Sequence, residues 1–156
     1  MMDRISYITV APEAMEAFGG GPKYLGTSSI DRKLRYMMEL RVSQINGCAY
    51  CVDLHSKQLR KEGETEQRID CLSVWDEVTF YTDRERAALE WAEAVTRVEA
   101  TRVPDDVYER VSVHFSEKEL VDLYMCIIAI NGWNRLAIPF HSKVGDYKSP
   151  IKKKES

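Results

Sequence analysis

Cys48 and Cys51 are separated by Ala49-Tyr50, and His55 follows the second thiol by four residues. On a helix, positions three and four apart share a face, so all three side chains line up on one side. Two thiols at this spacing can cycle between dithiol and disulfide. An imidazole one turn away can hold or remove the proton that separates thiol from thiolate. The thiolate is the reactive form, and a helix N-terminus or a neighbouring imidazolium lowers its pKa from about 8.5. Gly47 reads as the stop of one helix, which makes Cys48 the start of the next, where free backbone N–H groups favour an anion. These residues imply thiol redox chemistry.

Other readings use the same residues. Free cysteine is often a small buried hydrophobe, but Gly47 before the pair and His55 after it fit a reactive site better. The run C-x2-C-x3-H offers three zinc ligands, and Cys71, Cys126, His114 or His141 could supply a fourth. None of those four belongs to a second paired motif, and three ligands on one helical turn make a poor tetrahedron, so no metal is assigned. A thioredoxin-like domain needs a strand before its CxxC. Here residues 31–45 read as a helix.

The elements that must position the thiols are helical throughout, and the expected class is all-α. A first amphipathic piece spans residues 12–25, interrupted by Gly19-Gly20-Gly21-Pro22. Ser28-Ser29-Ile30-Asp31 resembles a capping-box start, with Leu34, Met37, Met38, Val42 and Ile45 recurring at helical spacing behind it. The next helix carries Cys48 to about Lys61 and stops at Gly63, and a short turn over 66–72 leads to Trp75. Thr82-Asp83-Arg84-Glu85 is a capping box opening a helix to about Glu99, and Pro104 opens a short one to His114. Ser116-Glu117-Lys118-Glu119 caps the last long helix, whose apolar residues cover more than one stripe; such a helix is buried in the core or against another subunit.

Composition sets the frame. The 156 residues suit one domain, taken as 1–150 with a disordered basic tail at 151–156 around Lys152-Lys153-Lys154. A net charge of −3 argues against nucleic-acid binding. The start, Met1-Met2-Asp3-Arg4-Ile5, lacks the apolar core of a signal peptide, and no apolar run reaches the ~20 residues a membrane span needs. A cytoplasmic location follows as the expectation, and there a close cysteine pair is catalytic, sensing or metal-binding rather than structural.

The run from Leu40 through Asn46-Gly47-Cys48-Ala49-Tyr50-Cys51-Val52-Asp53-Leu54-His55 closely resembles the signature of AhpD-like alkylhydroperoxidases, within the carboxymuconolactone decarboxylase superfamily. Weaker matches, Glu85-Arg86-Ala87-Ala88-Leu89 and Asn131-Gly132-Trp133-Asn134-Arg135-Leu136, extend it over residues 28–139. The resemblance implies an all-helical domain that forms homo-oligomers, trimers or hexamers, and reduces organic hydroperoxides. It gives Cys51 the peroxidatic role, Cys48 the resolving role and His55 the poising of the Cys51 thiolate, although helix electrostatics alone would equally allow Cys48. No cofactor is implied; an external dithiol resets the pair. A decarboxylase branch, whose chemistry does not need the cysteines, and a redox-sensing module without turnover are the alternatives.

One position departs from that signature. The family's proton relay has a glutamate twelve residues before the first cysteine, where this chain has Tyr36. Glu39, Glu90 or Glu93 could replace it, although each alone reads more simply as a solvated surface residue. Tyr50 is either a hydrogen-bonding group near the peroxide or a packing aromatic. Cys71 and Cys126 read as core, His114 as a helix-end residue, His141 as a loop residue, and Trp75, Trp91 and Trp133 as core or interface aromatics.

Overall fold

The computed structural model describes residues 2–145, so the expectations for the tail lie outside the described residues. Within them the chain is helical and contains no strand. The N-terminal piece breaks into α1 (Tyr7–Val10), α2 (Pro12–Phe18) and α3 (Gly20–Leu25), the last two meeting at Gly19 as the glycine run implies.

α4 (Arg32–Asn46) begins at Asp31, whose carboxylate accepts from the Leu34 N–H at 3.0 Å. The cap expected at Ser28 is thus displaced by three residues. The Ser28 hydroxyl instead donates to the Leu25 carbonyl (3.1 Å) and closes the turn after α3. α4 ends at Gly47, which takes the left-handed conformation (φ 70°, ψ 31°) that glycine adopts without strain. Gly47 N–H bonds Gln44 O and Cys48 N–H bonds Ser43 O, the paired bonds of a Schellman motif. The residue that completes this stop is Cys48, and it also caps α5 (Ala49–Lys61).

α6 (Glu66–Asp70) and a 3-10 segment (Cys71–Glu77) carry the chain to the capping box at Thr82 and Glu85, which opens α7 (Asp83–Thr96). α7 is shorter than its periodicity suggests. At Arg97 (φ −102°, ψ 35°) the backbone leaves the helical region, and α8 (Val98–Thr101) folds back so that the Thr101 hydroxyl donates to Ala94 O at 2.7 Å. α9 (Asp105–His114) follows Pro104, and α10 (Glu117–Ala137) starts from the Ser116–Glu119 capping box.

α4 is the central helix and packs against α5, α7 and α10. Met37, Met38, Leu40 and Val42 from α4, Leu59 from α5, Leu89 from α7 and Leu123 and Ile127 from α10 are buried together. Each such side chain contributes roughly 1.5–3 kcal/mol over leaving it in water. The other face of α10 stays exposed at Val121, Tyr124 and Ile128, so this helix is apolar beyond what the described residues cover.

The N-terminal helices lie on α10 through two polar and aromatic fastenings. Buried Asp122 accepts from Tyr24 Oη (2.8 Å) and Lys118 Nζ (2.8 Å), tying α3 down. Phe18 packs edge-on against Trp133 (centroids 4.8 Å apart) and over Gly132, where a Cβ would stand 2.4 Å from Phe18 Cζ. Gly132 therefore permits the close approach of α2. No described helix is long and apolar enough to cross a membrane.

Candidate active site

The turn at Gly47 doubles α5 back against α4, so residues near the end of one helix face residues near the start of the other. Cys48 and Cys51 are both buried, with their sulfurs 2.7 Å apart as free thiols. Cys48 occupies the N-cap of α5, and its sulfur accepts from the Cys51 N–H at 3.4 Å. Its pKa falls to about 7, chiefly because the Cys51 thiol donates to it, with further help from that N–H, the Asn134 amide and the charge of His55, and against the opposing effect of burial. Cys51 is pushed well up, because its proton is held by Cys48 and its surroundings are dry. The pair thus holds one proton between two sulfurs around neutral pH, with the negative charge resting on Cys48.

His55 lies one turn beyond Cys51 and is buried. Its Nδ1 is 3.1 Å from Glu39 Oε2 and 2.8 Å from Gln58 Oε1. Flanked by two acceptor oxygens, Nδ1 carries the proton, which leaves Nε2 to exchange protons elsewhere. The glutamate in contact with the histidine is Glu39. Its side chain is only 15% exposed, so the reading of Glu39 as a solvated surface residue is corrected: α4 turns it inward against α5. Tyr36 lies beside His55 at 6.4 Å between ring centroids. Glu90 pairs with Arg110 near the surface, and Glu93 binds Arg41 and the Trp75 indole N–H, so neither reaches the histidine.

A buried amide network was not legible in the sequence. Asn46 Nδ2 donates to Asn134 Oδ1 (2.8 Å) and Asn131 Oδ1 (2.9 Å), and Asn134 Nδ2 donates to Ser43 Oγ (3.2 Å). Ser43 in turn donates to Glu39 O at 2.7 Å. The Asn134 amide also favours the thiolate form at both sulfurs, and Ser43 favours it at Cys51. The signal that could have revealed Asn134 is a polar residue on the apolar-all-round helix α10, where it is fully buried.

A cavity of about 340 Å³ opens onto this chemistry. Cys51, His55 and Glu39 line it, and Cys48 does not. Tyr7, Ile8 and Leu25 from the N-terminal helices and Ile130 and Trp133 from α10 form much of the apolar wall. Tyr50 lines the cavity too, so it stands where either of its expected roles would place it.

The remaining cysteines and histidines lie elsewhere. Cys71 is half-buried rather than core, because it opens the 3-10 segment at the surface. Cys126 is buried 3.8 Å from Glu39 Oε1, and burial raises its thiol pKa well above the usual range. His114 ends α9, and His141 sits in the loop after α10, near Met2 O. Among the described residues, no three His, Cys, Asp or Glu side chains group as a metal site.

Residues 11–94 match the model of the carboxymuconolactone decarboxylase family, a span that contains α4, the cysteine pair and His55. The chain belongs to this family. It is 49% identical over 138 residues to the uncharacterized protein YdfG of Bacillus subtilis, covering 88% of this chain and 94% of that one. The crystal structure of a protein of unknown function from Agrobacterium tumefaciens, provisionally assigned to antioxidant defence as an AhpD, superposes with a TM-score of 0.89 at 43% identity. That match covers 92% of this chain and 98% of the other. An uncharacterized peroxidase-related protein from Silicibacter sp. TM1040 superposes with a TM-score of 0.74 at 26% identity, over 83% of this chain and 69% of the other. The fold is therefore the AhpD-like one of the carboxymuconolactone decarboxylase superfamily.

Proposed function

We propose that this family member is a thiol-dependent peroxidase that reduces organic hydroperoxides through Cys48 and Cys51. The observation that carries the reading is the division of labour in the pair: Cys51 faces the cavity beside His55, while Cys48 lies behind it and holds the charge. Transfer of the Cys51 proton to Cys48 along their hydrogen bond leaves a thiolate facing the cavity. That thiolate attacks the distal oxygen of the hydroperoxide, the O–O bond breaks, and Cys51 becomes a sulfenic acid. The departing alkoxide takes a proton from the imidazolium of His55, which Glu39 orients and stabilises. Cys48, now a thiol, condenses with the sulfenic acid to give the disulfide and water. An external dithiol then reduces the disulfide by exchange. The apolar wall favours an organic peroxide over hydrogen peroxide.

A homo-oligomer is part of the same proposal. The exposed row Val121, Tyr124 and Ile128 on α10 supports it, since burial against a second copy would cover this face.

The test is steady-state consumption of cumene hydroperoxide with excess dithiol, beside a Cys51→Ser variant. Many turnovers in the native protein and none in the variant are expected. One equivalent consumed without turnover would instead indicate a redox sensor. A lactone-acid decarboxylation that survives replacement of both cysteines by serine would indicate the decarboxylase branch.

A further inference from the structure

Arg35 stands in the wall of the reactive cavity with no hydrogen-bond acceptor. Its side chain is 15% exposed, and its buried Nε makes no hydrogen bond. The nearest carboxylate is Glu39, whose Oε1 is 3.8 Å from that Nε, beyond hydrogen-bond range. Glu39 is already committed to His55, so one carboxylate lies between the imidazole and the guanidinium. A guanidinium presents five N–H donors in a rigid fork, and a buried N–H such as its Nε is costly to leave unmatched. Stacking over Tyr36 (5.2 Å to the ring centroid) holds its plane but supplies no acceptor.

We infer that Arg35 is the anchor for an anionic group of the substrate, and that the substrate class is hydroperoxides bearing a carboxylate. The inference rests on the peroxidase reading for the reacting end and on Arg35 alone for the anionic end. The geometry fits a long amphiphile. Ser43 lies near enough to Cys51 to favour its thiolate, Glu39 bonds His55, and Arg35 is the next turn of the same helix face. Arg35 and Ser43 are therefore about 12 Å apart along α4, at 1.5 Å per residue. Leu25, Leu54, Ile130 and Trp133 supply an apolar lining for the body of such a molecule. Arg35 also lines a second recess, of about 360 Å³, that contains Arg32, so the anionic end would sit at a basic opening while the peroxide reaches Cys51. A fork of N–H donors suits a carboxylate bidentately.

Binding separates this inference from the peroxidase reading. Titration calorimetry of the native protein with octanoate and with 1-octanol compares the same chain with and without the anion. Octanoate is expected to bind at least tenfold more tightly. Arg35→Gln should bring the two within about twofold, and Arg35→Lys should keep part of the difference. In turnover, the ratio of kcat/KM for a fatty-acid hydroperoxide to that for cumene hydroperoxide should fall at least tenfold in Arg35→Gln, through KM. Equal binding of octanoate and octanol by the native protein overturns the inference, whether or not any hydroperoxide turns over and without any variant. An undiminished octanoate preference in Arg35→Gln overturns it too. Failure of the native protein to consume either hydroperoxide would remove the peroxidase reading and leave the binding result standing.

Discussion

Glu39 on α4 and His55 on α5 meet across the interface of two consecutive helices, Oε2 to Nδ1 at 3.1 Å, with both side chains withdrawn from solvent. This contact fixes which ring nitrogen carries the proton and turns the other toward proton exchange. It places a carboxylate on His55 in a chain whose signature position carries Tyr36.

Glu39→Gln keeps the shape and removes the charge. Peroxidase turnover should fall on the order of 10²-fold, the usual worth of a positioned acid–base group. Adding Tyr36→Glu should restore part of the activity lost in Glu39→Gln, whereas Tyr36→Glu alone should add little to the native protein. Steady-state kinetics of the three variants measure this, and full activity in Glu39→Gln would take the pair out of the reaction path.

The shared proton of the thiol pair has a pH signature. Thiolate absorbance of the reduced protein in the near ultraviolet should rise through a midpoint near pH 7, following Cys48. Cys51→Ala removes the donating thiol, so the midpoint should move upward. Stability follows the same titration. In the unfolded chain both thiols titrate near 9.0, whereas the folded chain loses its first proton near 7 and retains the second. Between pH 7 and 9 the unfolded state binds more protons, so stability rises with pH; above 9 the folded state binds more, and it falls. Urea unfolding of the reduced protein at several pH values should show this maximum, and Cys48→Ala should flatten it.

Asn134 bonds Asn46 and Ser43 in one buried network beside the thiol pair, where its amide favours the thiolate. Asn134→Ala leaves those partners unmatched and should cost about 1–3 kcal/mol in denaturant unfolding. The midpoint of the thiolate absorbance should also shift upward. A stability loss with an unmoved midpoint would confine Asn134 to packing.

Gly132→Ala places a methyl group where Phe18 lies and should destabilise by about 1–3 kcal/mol. Phe18→Ala in the same chain should recover part of that loss, since Phe18 is partly exposed and α2 can shift. Additive losses in the double variant would show that the contact is not the cause.

The helices that carry the chemistry were legible because their signals are local. Gly47 as a left-handed stop, the capping boxes at Thr82 and Ser116, and the periodicity of α4 each involve residues within one or two turns. Cys48, Cys51 and His55 share a face as their spacing requires. Glu39 was harder. The sequence gives its helix but not the rotation of α4 about its axis, and that rotation alone decides whether residue 36 or 39 faces the histidine. Asn134 lies 86 positions beyond Cys48, and only the packing of α10 on α4 brings it to the sulfurs. Ser28 and Asp31 are both good N-caps, and the structure chooses Asp31 because the end of α3 claims the Ser28 hydroxyl.

Cys48 takes a helix-capping place where serine, threonine or aspartate ordinarily stands. As a thiolate it is a charged acceptor for the first turn of α5; as half of a disulfide it is a neutral and much poorer one. Oxidation of the pair would therefore weaken the tether at the start of that helix, and reduction would restore it. The order of its first turn becomes a record of how many electrons the site holds, readable as slower amide exchange at Cys51 in the reduced protein than in the oxidised one.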